Sequence, residues 1–204
     1  MGFSPLRVAL RSRSASAVLL WIMGVAGATF LIGDRSFLFR VVSGVEPRPV
    51  FASEVIVVVA VVCLPAVTAP QLWEWERLRA RVTVRAVAAS LAPLSVLLAA
   101  SMHQLLARLD DRLEPSHPGT TLLNGTVFGC LSVVVVALLG RRAGPLVALG
   151  VYSIGIVAQA MTFAVPLPFR SGDHDQFAVV VSVGLLGAAA VLLARTLGRT
   201  QRTG

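Results

Sequence analysis

Six apolar runs decide most of what this chain can become. They cover residues 15–33, 54–72, 84–107, 121–140, 144–166 and 177–195, each with few or no charges in its middle. A helix crossing the hydrocarbon core of a bilayer needs about 20 mostly apolar residues, and every run comes close to that length. Open sheets cannot span lipid, because their edges leave backbone groups unpaired. A membrane barrel would instead alternate over segments of about ten residues. Valine-rich stretches such as SEVIVVVAVVCLPAVTAP are too long and too uniformly apolar for soluble strands. The expectation is an all-α polytopic membrane protein: one transmembrane domain over 1–204 with six transmembrane helices. The connecting loops are short. The longest, 34–53, carries Pro47 and Pro49 and has room for a short surface helix.

Charge orients the bundle. The chain is 56% hydrophobic and only 14% charged, against roughly 25% charged in soluble domains. All 18 basic residues are arginine. With both termini cytoplasmic, the segments before 15, at 73–85, at 141–142 and from 195 on hold 12 arginines against Glu74 and Glu76, a net of +10. The opposite side holds 6 arginines against 8 acids, Glu54 among them, a net of −2. Arginine concentrates on the cytoplasmic side of membrane proteins, and an odd number of spans would break this split. The expected location is the cytoplasmic membrane of a bacterium. The first run is preceded by three arginines and contains AGA at 26–28, like a signal peptide with its cleavage site. It continues as TFLIG, long enough to span, so an uncleaved first helix is expected.

The absence of lysine removes whole classes of chemistry. A Walker A loop needs a lysine for the phosphates, and a Schiff base needs one as nucleophile. ATP-driven work would require the ATPase on another polypeptide.

Between the second and third runs lies a charged, aromatic interruption, WEWERLRAR at 73–81. On a helical wheel Leu72, Trp75, Leu78 and Val82 share one side, with Glu74, Glu76, Arg77 and Arg81 mostly opposite. Glu74 with Arg77 and Glu76 with Arg79 form i,i+3 pairs that steady a short helix. One reading is an ordinary positive loop anchored by tryptophans at headgroup level. The other is a docking helix for a cytoplasmic partner, with charges for orientation and an aromatic anchor.

This layout resembles the ABC-2 type transporter permeases: six helices, both termini inside, a basic segment SPLRVALRSRSASA at 4–17 and a charged helix between spans 2 and 3. The resemblance implies a transmembrane permease subunit, generally of an exporter. It implies a homodimer or heterodimer with a second permease and a separate cytoplasmic ATPase subunit. It makes Glu74, Glu76, Arg77, Arg79 and Arg81 the candidate coupling contacts. In that family a re-entrant hairpin often precedes helix 6, and VPLPFRSGDHDQ at 165–176 is too short for a full one. The other reading is a small accessory or immunity protein, or a membrane-embedded enzyme, with no ATPase.

Inside the spans, His103, Gln104, Asn124 and Gln159 are the candidate substrate-path residues, weighed against simple interhelical packing. A buried acid–base series is not evident, which speaks against a proton-driven transporter. GTVFG at 125–129 matches the small-residue packing motif of membrane helices, a common motif that here points toward a dimer. Cys63 and Cys130 read as small buried hydrophobes. The outer acids and histidines, densest in DHD at 173–175, read as a solvated rim without metal-ligand spacing. YSIG at 152–155 is no nucleophile elbow, since a strand-to-helix turn does not fit within a span. No catalytic residue, metal, cofactor or nucleic-acid partner is expected; the bilayer is.

Overall fold

The structure is a computed structural model, and it describes Leu10, 13–39, 48–69, 82–161, Pro168 and 176–196. The connection 70–81, with all five coupling candidates, lies outside the described residues, as do most of 4–12, the DHD rim and the C-terminal tail.

The chain is mostly helical. Helix α1 spans Ala15–Ile32 and stops at Gly33, whose N–H bonds the Thr29 carbonyl at 2.9 Å. The next segment adds a short strand pair to the helical chain, where the sequence has room for a surface helix. Strands β1 (Ser36–Phe39) and β2 (Arg48–Phe51) form an antiparallel pair, with Ser36 opposite Phe51 and Leu38 opposite Pro49. No surface helix forms in these two segments. Pro49 has no N–H to give a helix, whereas in a two-strand ladder every strand is an edge and tolerates it. Phe37, Leu38 and Phe39 are residues that suit a strand. At its base the hairpin is tied back: Ala52 N–H bonds Arg35 O at 2.7 Å and Ser53 N–H bonds Gly33 O at 3.3 Å.

Helix α2 (Ala52–Thr68) follows at once and runs back along α1. It ends four residues before the expected 72, because Pro70 drives Ala69 out of helical geometry (φ −62°, ψ 136°). Pro65 sits inside it and cannot donate to Val61 O. Side chains of other helices serve the flanking carbonyls: Trp21 Nε1 bonds Ala60 O at 3.3 Å and Ser132 Oγ bonds Val62 O at 2.6 Å.

Helices α3 (Val82–Ala89) and α4 (Leu91–Ala107) meet at Ser90, which keeps helical angles, so Val82–Ala107 is one apolar segment of 26 residues. Pro93 denies Ala89 O its helical donor, which places the interruption here. A 3₁₀ turn (Asp111–Ser116) leads to α5 (Pro118–Leu139). Pro118, pre-set for a first helical turn, starts α5 three residues ahead of the expected 121. Gly140, at φ 91°, makes the turn into α6 (Ala143–Ala160), and α7 spans Gln176–Thr196.

Four of these segments are long and apolar enough to cross a membrane: Ala15–Ile32, Val82–Ala107, Pro118–Leu139 and Ala143–Ala160. Ala52–Thr68 and Val183–Leu192 are shorter apolar helices. Helix α5 is central and packs on α2, α4, α6 and α7. Of its spanning window 61% is buried, against 22% for α1. Polarity is inverted relative to a soluble bundle. Leu20, Met23, Leu31, Leu146 and Ile154 are exposed, whereas Glu54, His103, Asn124, Ser132 and Gln159 are buried. An apolar exterior of this kind belongs in lipid.

The glycines of GTVFG are used inside the chain. A Cβ on Gly125 would lie 3.0 Å from both Ala100 Cβ and Val57 Cγ1, and one on Gly129 would overlap Val96 Cγ1. They let α5 close on α2 and α4 together. Valine is stiff about χ1 and cannot swing aside. Gly129→Ala is therefore expected to destabilise the bundle by about 1–3 kcal/mol, although alanine is the better helix former. Gly27→Ala, which meets nothing within 4 Å, should be neutral or slightly stabilising. Thermal unfolding of both variants in mild detergent checks this. A Gly129→Ala protein as stable as the parent would remove the close approach from the account.

Candidate functional site

The end of the bundle where α1 stops and α2 starts holds a buried carboxylate. Glu54 is in the first turn of α2 and only 6% exposed. Its Oε1 accepts Asn124 Nδ2 from α5 at 3.0 Å and Tyr152 OH from α6 at 3.1 Å. Asn124 is 0% and Tyr152 4% exposed. Three helices thus converge on one oxygen. Tyr152 is held further by Phe128, edge to face with centroids 5.1 Å apart.

Helical repeat adds a fourth helix to this level. Val57, Gly125 and Ala100 meet in one layer. Glu54 lies three residues before Val57 on α2, and His103 three residues beyond Ala100 on antiparallel α4. Both therefore lie one turn nearer the hairpin, and His103 is fully buried. Nearby, at the end of α1, the hydroxyls of Thr29 and Ser53 are buried without a hydrogen-bond partner.

A cover of ring and turn residues closes this end. Phe51 meets His117 edge on at 5.9 Å, and Leu113 of the 3₁₀ turn is 1% exposed. Arg112 stacks over Phe30 at 5.7 Å and bridges Asp110 at 2.6 Å. Hydrogen bonds from Arg112 hold the Asp110 carboxyl below the usual carboxylate range, so the bridge persists as pH falls toward that range.

The four candidate path residues separate. Asn124 joins Glu54. His103 is buried at the same level, and Gln104 beside it is half-buried. Gln159 turns elsewhere and donates from Nε2 to Pro168 O at 2.7 Å, anchoring the chain beyond α6. Two residues at the centre were not singled out from sequence, Glu54 and Tyr152. Glu54 counts with the outer-loop acids in the sequence, and its burial in the first turn of α2 places it inside the bundle. Seven acids then remain against six arginines on that side. The available signal was Tyr152, the only tyrosine in the chain, in mid-span, where a phenol needs a partner.

Chemically, the centre is a carboxyl acceptor that receives donors from Asn124 and Tyr152 inside an apolar bundle. That arrangement can hold the polar group of a solute, a cation or a proton. Among the described residues no three His, Cys, Asp or Glu side chains gather as a metal site. Both cysteines are free. No family model, no curated protein and no solved structure matches the chain.

Removing the carboxylate takes the acceptor at Oε1 from two buried donors. Glu54→Ala is expected to cost about 1–3 kcal/mol of stability, and Tyr152→Phe about 0.5–1.5. In a double-mutant cycle Glu54→Ala and Asn124→Ala should be coupled by about 0.5–3 kcal/mol. Additive losses in detergent unfolding would show that the two side chains do not interact.

Proposed function

We propose that this chain is the membrane subunit of a transporter, of the ABC-2 permease type, with six spans and both termini in the cytoplasm of a bacterial cell. The observation that carries the reading is the Glu54 centre. Polar and ionisable side chains within membrane spans are costly and mark pathways by default. Asn124, chosen from sequence as a path residue, donates to it. The shorter apolar helices, Ala52–Thr68 and Val183–Leu192, would complete the six spans beside the four longer ones. At 17 residues, Ala52–Thr68 is at the lower end of spanning length.

The power source is read from the sequence. With no lysine the chain has no P-loop, and WEWERLRAR offers a place for a separate ATPase to dock. Glutamates contribute little to topology, so Glu74 and Glu76 among four arginines favour recognition over anchoring. In this reading the subunit works as a dimer and generally exports. A second reading, a small accessory or immunity protein or a membrane enzyme without an ATPase, is favoured by one feature. Glu54 is already satisfied by partners within the chain, as in a centre that only fixes helix packing.

Two measurements separate these. In a background with Cys63→Ala and Cys130→Ala, single cysteines at 45, 117 and 172 should label from outside and one at 78 only from inside. A label reaching 78 from outside overturns the topology. An ATPase should co-elute with the parent in mild detergent and be lost from Glu76→Ala/Arg77→Ala, which still inserts. Truncating a charge buried against a partner costs about 2–5 kcal/mol, enough to release it. Absence of any ATPase from the parent complex overturns the permease reading.

A further inference from the structure

At the other end of the bundle, a cavity of about 430 Å³ opens between the last turns of α2 and the turn joining α5 to α6. Its lining has two parts. Cys63, Ala66, Val67 and Pro145 make an apolar floor, and Arg141 and Arg142 supply two guanidinium groups. No carboxylate lines it among the described residues.

The local fold prepares this cavity for an anion. Arg141 Nε donates to Ala66 O at 3.0 Å, one of the carbonyls that α2 leaves without an internal donor at its end. That bond fixes the guanidinium at the rim and leaves its remaining N–H groups for another acceptor. Capping α2 occupies Arg141 alone; Arg142, which shares the expected cytoplasmic charge of this turn, lines the cavity beside it. The first turn of α6 also starts at this rim, and it contains no acidic residue to complement its positive end. Its position is fixed, since a Cβ on Gly144 would come within 2.8 Å of the Val136 backbone nitrogen. Two fixed or flanking guanidiniums, an uncompensated helix start and an apolar floor are complementary to a group that is anionic at one end and hydrocarbon at the other.

We propose that this cavity binds an anionic phospholipid, its phosphate between Arg141 and Arg142 and its acyl stem along Cys63, Ala66, Val67 and Pro145. Arginine suits the role because its planar fork pairs two N–H groups with two phosphate oxygens. A free phosphate shares the headgroup chemistry but gains nothing from the floor. The site goes beyond the transport reading and does not require it.

Native mass spectrometry of the full chain tests it, with dioleoyl phosphatidylglycerol, dioleoyl phosphatidylcholine and soluble glycerol phosphate as probes. The parent should retain phosphatidylglycerol over phosphatidylcholine. Arg141→Gln/Arg142→Gln should bind it roughly thirtyfold more weakly, whereas Arg195→Gln should match the parent. Cys63→Phe, which fills the floor and leaves the charge untouched, should also lower retention, and it keeps the test open if the double variant does not fold. Equal retention of both lipids, or parent-like retention by both cavity variants, overturns the proposal. Glycerol phosphate displacing the lipid at equal concentration shows a site for soluble anions and overturns it as well. An acidic protein segment held in place of lipid at Arg141 and Arg142 does the same.

Discussion

Helix α5 can touch two neighbours at once because Gly125 and Gly129 have no side chains, and most of the bundle depends on that. Between lipid-embedded helices there is no hydrophobic drive toward association, since the surroundings are as apolar as the helices. Contact must come from close fit and from polar bonds. The glycines supply the fit against Val57, Val61, Ala100 and Val96. The approach sets the register that brings Asn124 to Glu54 and Ser132 to the Val62 carbonyl. A bulkier α5 would separate these polar pairs as well as the apolar surfaces.

The polar bonds then divide into two kinds. Ser132, Trp21 and Arg141 serve backbone carbonyls of α2, a helix weakened by Pro65 and cut short by Pro70. Their role is repair of a backbone that lipid cannot solvate. Asn124 and Tyr152 instead serve a side chain, and nothing in the path of the backbone required a carboxylate at position 54. That difference sets the Glu54 centre apart from the rest of the hydrogen bonding.

Helix bodies were legible because apolar length is a direct consequence of bilayer thickness. Their ends were less so. Pro118 could begin α5 early and Pro70 could end α2 early, yet hydropathy alone blurs both limits. The β1–β2 hairpin was missed because FLF beside two prolines carries too few residues for a periodicity. GTVFG reads as a packing motif and points toward a dimer, but a motif names no partner, and its two glycines close on helices of their own chain. Glu54 was hidden by position. An acid at the margin of an apolar run is counted with the loop, and only the packing of α5 and α6 over α2 shows that it is inside.

The bonds from Ala52 to Arg35 and from Ser53 to Gly33 have a consequence for biogenesis. Segment α2 carries an acid in its first turn and a proline near its end, and the acid adds to the cost of placing it in lipid alone. Fastened to α1 by a short hairpin, it need not enter alone. The two can leave the translocation channel as one antiparallel unit, with the Glu54 carboxylate turned toward the space that α5 and α6 fill when they are synthesised later.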